Sequence, residues 1–443
     1  MDSGCLDPQM THSAKSGTSP GKDIRCLWIA RYIPFPMNGG AQVYSAGLAQ
    51  ALARAGACVR FIGLGSTAAV PDSAGGIEWV AVPGRKRKAA VAALSRLPFA
   101  AAIDATKAYR LMLEVQLQEP WDAIVLDAYG TGWALDRCMA YCKAPRAHRP
   151  VLVHVSHNNE ELLWRFMGRE ARGSPFKRLA LRRNAIKVAA LERRIVRAAD
   201  LLTTITDEDR NILGAGMAKD SSLSITPGYG GQIVSARRIT AATPRRVLIM
   251  GSFRWVVKQV NLTRFVEIAD PIFKKQCIEL DVVGDIPKAL LVDLEARCQA
   301  THFHGFVADA APYLARARIG IVPEPIGGGF KLKFLDYIFG RVPVATVSQA
   351  VAGLSVDLQL AMMSNDSLAG LVDDIVSRID RIDDLNRMQE DAFALGEAQF
   401  DWQVRGERFL AAIAAIRVRA ADGHRSDITP QDAHLPGADL AVG

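Results

Sequence analysis

Residues 24–62 read IRCLWIARYIPFPMNGGAQVYSAGLAQALARAGACVRFI. The run Ile24 to Ala30 is apolar and β-branched enough for a buried strand. A loop, Arg31 to Gly40, turns at Pro34 and Pro36. Ala41 to Ala55 is an Ala-rich helix stopped by Gly56, and Cys58 to Ile62 is a second short apolar run. Strand, loop, helix, strand is the form of a parallel α/β unit.

The alternation continues outward. Ala123 to Asp127, Val151 to Val155, Leu201 to Ile205 and Leu223 to Thr226 are short apolar runs separated by helical stretches. Pro227 to Pro244 has little periodicity, which predicts a boundary there. A second series follows, with strands at Val247 to Met250, Ile278 to Val283, Arg318 to Val322 and Val344 to Val347. The predicted fold class is α/β, two Rossmann-like doubly wound domains facing a cleft. Their expected limits are 24–227 and 246–400, with a leader over 1–23, a linker over 228–245, a terminal helix over 401–419 and a disordered tail over 420–443.

Composition agrees. The 443 residues carry 49% hydrophobic and 23% charged side chains, ample for two cores, which excludes wholesale disorder and a disulfide scaffold. No stretch approaches the roughly 20 apolar residues of a membrane-spanning helix. The first 23 residues lack a signal-like apolar segment, and seven scattered cysteines fit reduced thiols, so the expected compartment is the cytoplasm. Cys138 and Cys142 have a helical spacing but no second ligand pair, and no metal site is expected.

Parallel sheets bind ligands beyond the carboxyl ends of their strands, so the loops there carry the functional reading. Gly39 and Gly40 open a helix behind the first strand, where bare amides and the helix dipole suit an anion; a plain connection is the competing reading. Gly63, Gly65 and Ala68 match a dinucleotide pattern, but Pro71, Asp72, Gly75 and Gly76 follow where a helix should open, so that site is rejected. His157, Asn158, Asn159 and Glu160 end the strand at Val155 and supply a proton-handling imidazole with orienting polar groups, or else a helix cap.

The most informative loop is EPIGGGFKLKFLDYIFGRVP, residues 324–343. Gly327, Gly328 and Gly329 come directly after a strand, Phe330 follows, and a helix is predicted whose first turns carry Lys331 and Lys333. Glycine amides, a helix N-terminus and two ammonium groups suit a diphosphate. Asp336 is placed to accept hydrogen bonds from a ribose diol. Charge is also concentrated: Arg165 to Arg197 holds eleven Lys or Arg and two Glu, as against +8 for the whole chain. Such a segment attracts phosphates or an anionic membrane surface. A shorter cluster, Arg85 to Lys88, reads as a solvated face.

With Val283-Gly284-Asp285, His304-Gly305-Phe306-Val307 and Glu324-Pro325 added, these motifs resemble the retaining glycosyltransferases of the GT-B fold, family 4, of the glycosyl transferases group 1 type. The resemblance spans about Ile24 to Ile416. It implies sugar transfer from a nucleotide-sugar donor, a UDP- or GDP-sugar, with retention of configuration and no further cofactor. The acceptor is then a glycan or a lipid-linked acceptor, in cell-surface polysaccharide biosynthesis.

The implied site has the donor in the C-terminal domain. Lys258 falls at the family's diphosphate-binding basic residue. Its usual arginine partner is Ser252 here, with Arg254 nearby. Asp336 takes the place of the second member of the two-glutamate motif, while Gly328 takes the place of the first; Gly327 to Lys333 resembles the G-x-G-x-[RK]-x-K form of some branches. The implied roles make His157, Lys258 and Lys331 catalytic, and Gly39, Gly40, Arg254, Gly327, Gly328, Gly329, Phe330, Lys333 and Asp336 donor-binding. Asn158, Asn159 and Glu160 lie on the acceptor side. The expected partners include an anionic membrane surface, met through Arg165 to Arg197, and no nucleic acid is expected. A non-catalytic sugar-nucleotide binder, a nucleic-acid-binding protein and an epimerase remain as rivals.

Overall fold

A computed structural model describes residues 24–426 apart from 38, 73–74, 85, 147 and 170–173. The leader over 1–23, Arg85, Glu170, Arg172 and the tail beyond Ser426 thus lie outside the described residues.

The N-terminal sheet has seven strands: β1 Arg25–Tyr32, β2 Cys58–Leu64, β3 Ile77–Val82, β4 Ala123–Asp127, β5 Val151–Val155, β6 Leu201–Thr204 and β7 Ser222–Ser224. Their order is β3-β2-β1-β4-β5-β6-β7, and every pairing is parallel. The C-terminal sheet has six: β8 Arg246–Met250, β9 Glu279–Val283, β10 Thr301–Gly305, β11 Ile319–Val322, β12 Val344–Val347 and β13 Met363–Asn365. They run β10-β9-β8-β11-β12-β13, again all parallel. Winding reverses between β1 and β4 and between β8 and β11. Each reversal opens a crevice at the strands' carboxyl ends.

The central strands are covered on both faces, as a parallel sheet requires. In β1, Cys26 to Ile29 are wholly buried; Trp28 stacks on Phe61 with centroids 5.9 Å apart and meets Phe409 edge-on at 6.2 Å. Phe409 belongs to the C-terminal helix, Trp402–Ser426, which crosses back and packs on the N-terminal domain with Leu410, Ile413 and Ile416. Its approach to the helix Gly40–Arg54 demands glycine: a β-carbon at Gly406 would lie 2.1 Å from Ala51 O, and one at Gly47 would lie 2.2 Å from the Trp402 ring.

The chain passes between the domains at two adjacent places. Arg405 Nε and Nη2 donate to Thr226 O and Oγ1, both at 2.8 Å, and Tyr229 N donates to Phe400 O at 2.8 Å. Residues 225–245 hold neither helix nor strand.

Several expectations change. Strand β1 runs two residues further than expected, so Arg31 and Tyr32 belong to its end and not to the loop; the β1/β2 register shifts between Ile29 and Tyr32. Three strands without an expected counterpart, β3, β10 and β13, all lie at sheet edges. An edge is partly solvated, so its sequence loses the continuous apolar run that marks a central strand. The helix after the glycine loop is Lys333–Phe339, so Lys331 precedes it. The C-terminal helix continues to Ser426, past the expected end at 419, because an internal glycine such as Gly423 costs about 1 kcal/mol and does not by itself stop a helix.

Candidate active site

The two crevices face one cavity of about 840 Å³, lined from one side by β1, β4 and the His157 loop and from the other by Gly251, Lys258, Glu324 and the glycine loop. Gly40 and Gly329 carry the domains into contact. A β-carbon on Gly40 would lie 3.2 Å from Leu332; on Gly329, which has φ +73°, it would lie 2.5 Å from Asn158 Oδ1.

On the C-terminal side, β11 ends at Val322 and turns Glu324 into the cavity wall. Asn261 Nδ2 holds the loop by donating to Ile326 O at 2.7 Å. Lys331 Nζ donates to the carbonyls of Gly327, Gly328 and Gly329 at 3.1, 2.8 and 2.9 Å. One ammonium therefore ties down three loop carbonyls, which makes Lys331 the group that shapes the loop. Burial, together with Lys333 and Lys258 and against the pull of Glu324, brings Lys331 down to about 8.

Lys333 Nζ forms a buried ion pair with Glu324 and stands beside Gly251. Burial alone would raise the Glu324 carboxyl, but Lys333, Lys258 and Lys331 hold it at about 2. Lys258, in the first turn of the helix Val256–Lys275, makes no ion pair among the described residues. Desolvation and the neighbouring Lys333 depress it below the usual lysine range. Three ammonium groups thus stand about one carboxylate: Lys333 pairs with it, Lys331 is spent on the loop carbonyls, and Lys258 makes no ion pair among the described residues.

A second cavity of about 1130 Å³ adjoins the first through Met250, Gly251, Ser252 and Asp336. Asp336 stands at the junction, where burial lifts its carboxyl to about 6 despite Lys333. Arg254 lines the second cavity, pairs with Asp285 and is mostly exposed, so it stands at the rim and apart from the lysine cluster.

On the N-terminal side, His157 Nε2 meets Asp127 Oδ1 at 2.6 Å, and Asp127 Oδ2 accepts from Trp28 Nε1 at 2.9 Å. Tyr44 sits edge-on to the imidazole at 5.3 Å. The ring is thereby oriented through Nε2, and Nδ1 has no hydrogen bond among the described residues. Asn158 Nδ2 donates to Glu160 Oε1 at 3.3 Å, and burial raises the Glu160 carboxyl. Asn159 does not join them: its Oδ1 caps the helix Glu160–Arg169 by accepting from Leu162 N at 3.0 Å. Glu192 reinforces that helix start, accepting from the amides of Glu160 and Glu161 at 2.9 and 2.8 Å.

The sequence does not single out Asp127 or Tyr44, and it gives Glu324 no role of its own beyond the Glu324-Pro325 motif. Asp127 had a signal, since it is the last residue of a strand next to the switch point. Glu324 gains its place from folding, which brings Lys258 and Lys333 to it. Cys138 and Cys142 are buried in the N-terminal core, and among the described residues no group of three His, Cys, Asp or Glu stands together as a metal site.

Two Rossmann-like domains with a basic, glycine-lined crevice between them define the GT-B class. Residues 39–219 match the glycosyl transferase 4-like domain and residues 244–379 the glycosyl transferases group 1 domain; the chain belongs to the glycosyltransferases built from this pair. No curated protein sequence matches it significantly. Similar solved structures include Anabaena Alr3699/HepE in complex with UDP and glucose, at 13% identity and TM-score 0.58, covering 91% of this chain and 100% of that one. WaaG, a glycosyltransferase involved in lipopolysaccharide biosynthesis, is similar at 19% identity and TM-score 0.56, covering 88% and 99%. A glycosyltransferase from Rickettsia africae is similar at 11% identity and TM-score 0.55, covering 89% and 98%. At these identities the structures speak for the fold.

Proposed function

We propose that this glycosyltransferase moves a sugar from a nucleoside diphosphate sugar to a glycan or lipid-linked acceptor, with retention of configuration, in polysaccharide biosynthesis. The observation that carries the reading is Lys258, an ammonium without an ion pair among the described residues, beside Lys333 and the Lys331-shaped glycine loop. A departing nucleoside diphosphate gathers negative charge in the transition state, and cations already in place stabilise it without reorganisation. Asp336 accepts from the ribose at the mouth of the second cavity, which takes the base. His157, steadied by Asp127, holds a sugar hydroxyl through Nδ1. The contact between Gly329 and Asn158 closes the cleft and excludes water that would hydrolyse the donor. UDP, present in the Anabaena structure, is the first nucleotide to test.

Incubation with UDP-sugars and GDP-sugars, with release of nucleotide followed, is expected to show turnover of one donor, and proton NMR of the product to show the donor's anomeric configuration. Tight nucleotide binding without transfer or hydrolysis would support the non-catalytic binder instead.

We also propose that the protein works in the cytoplasm at an anionic membrane surface. No helix among the described residues is long and apolar enough to cross a membrane. The helix Pro175–Ala198 exposes Phe176, Leu179 and Ile186, three and then seven residues apart and so on one face, alongside Lys177, Arg178, Arg182 and Arg183, which make no ion pair among the described residues. Arg165, Arg193 and Arg194 are less available, being paired with Glu161 or Asp136. Co-sedimentation is expected with vesicles of anionic phospholipid and not with neutral ones, and to fall when Arg182 and Arg183 are both changed to Glu. Equal sedimentation with both vesicle types counts against the surface.

A further inference from the structure

The N-terminal switch point holds groups that the donor reading leaves unused. Arg31 and Tyr32 end β1, beside the end of β4. Arg31 Nε donates to the buried Asp104 at 2.6 Å and its Nη2 to Tyr32 Oη at 3.1 Å; Tyr32 Oη donates to Asp104 Oδ1 at 2.7 Å. A guanidinium carries five N–H donors, so these two bonds leave others unspent, and its side chain is 33% exposed on the cavity wall. Lys86 Nζ lies 4.6 Å from the centroid of the Tyr32 ring and makes no ion pair among the described residues. Asp104 balances Arg31, which leaves Lys86 as the cation of this corner without an ion-pair partner among the described residues, with the buried Glu160 as a further carboxylate near Arg31.

The backbone marks the same place. Ala128, directly after β4, has φ 62° and ψ 159°, a conformation costly for a residue with a β-carbon. It sets Asp127, partner of His157, and Tyr129 on the same wall of the cavity. Glu160 feels both His157 and Arg31, which places the Arg31 corner next to the imidazole.

We propose that this corner is an acceptor subsite that takes a sugar bearing an anionic group, a phosphate or a carboxylate, between Arg31 and Lys86 with the Tyr32 ring beneath. The proposal rests on the donor reading, which puts the nucleotide on the opposite wall and leaves this wall to the acceptor. An acceptor anchored here presents its hydroxyls toward His157. A neutral acceptor would leave the Lys86 ammonium on the Tyr32 ring and the unspent guanidinium donors without an anionic partner.

The test is calorimetric titration of the protein saturated with UDP, using glucose, glucose 6-phosphate and glucuronate as probes. UDP fills the lysine cluster, so an added anion must bind elsewhere. At least one anionic sugar is expected to bind roughly fivefold more tightly than glucose, the upper end for one solvent-facing ion pair. Preference for the phosphate identifies a phosphorylated acceptor, and preference for glucuronate a uronic acid. Lys86→Ala is expected to remove the preference and Lys86→Glu to reverse it, both with unchanged UDP affinity. Equal affinity for the three probes, or a preference that survives in both variants, overturns the subsite while leaving the donor reading intact. Failure of UDP itself to bind overturns the donor reading and the subsite with it.

Discussion

Replacing Lys258 by methionine is expected to lower transfer by about two to three orders of magnitude while leaving the protein as stable as before or more so. The kinetic size is that of removing one fixed group aimed at charge that develops in the transition state. The stability sign follows from the environment. Desolvation first, and Lys333 second, depress the Lys258 ammonium below the usual lysine range. A lysine whose folded-state pKa is depressed is charged at a cost to folding wherever the pH is below its ordinary value. Methionine keeps the length of the stem and removes that cost, a trade of stability for activity common at binding sites. Initial rates and a melting curve at neutral pH check both halves. A variant that loses activity and stability together would show Lys258 to be a structural residue.

Glu324→Gln should be the most destabilising single change at the site, by about 3–5 kcal/mol, the scale for breaking a buried ion pair by removing one partner. It leaves Lys333 without its carboxylate, with Lys258 and Lys331 close by. The folded-state pKa of Glu324, about 2, is below its ordinary value, so its contribution is fully present above that ordinary value and is lost as pH falls toward 2. A diphosphate can replace the missing negative charge. UDP is therefore expected to bind the variant more tightly than the natural protein, and at about 100 times its Kd to return about 2.7 kcal/mol. Denaturant unfolding with and without UDP measures both effects. A variant of natural stability, or one that UDP does not rescue, would mean that the lysines do not converge on Glu324.

These two residues also show how far the sequence could be read. The central strands were legible because each is buried on both faces and keeps an unbroken apolar run. The edge strands β3, β10 and β13 were not, since Glu78, His302 and Ser364 interrupt theirs. Position relative to the strands' carboxyl ends was enough to bring His157, Asn158, Gly327 and Asp336 to one cavity. Side-chain direction was not legible. Nothing in the spacing of Lys331 and Lys333 says that one turns back onto its own loop carbonyls while the other crosses to Glu324. Their proximity to Lys258, some seventy residues earlier, arises from β8 and β11 pairing side by side. Asn159 shows the reverse case, a polar residue in a functional loop whose side chain is consumed by capping a helix.

The proposed function turns on a diphosphate seated in the lysine cluster. Calorimetric titration of the natural protein with UDP and with uridine tests it most directly. UDP is expected to bind at least about a hundredfold more tightly, about 2.7 kcal/mol, and Lys258→Met to remove most of the difference. Equal affinities for UDP and uridine would contradict it.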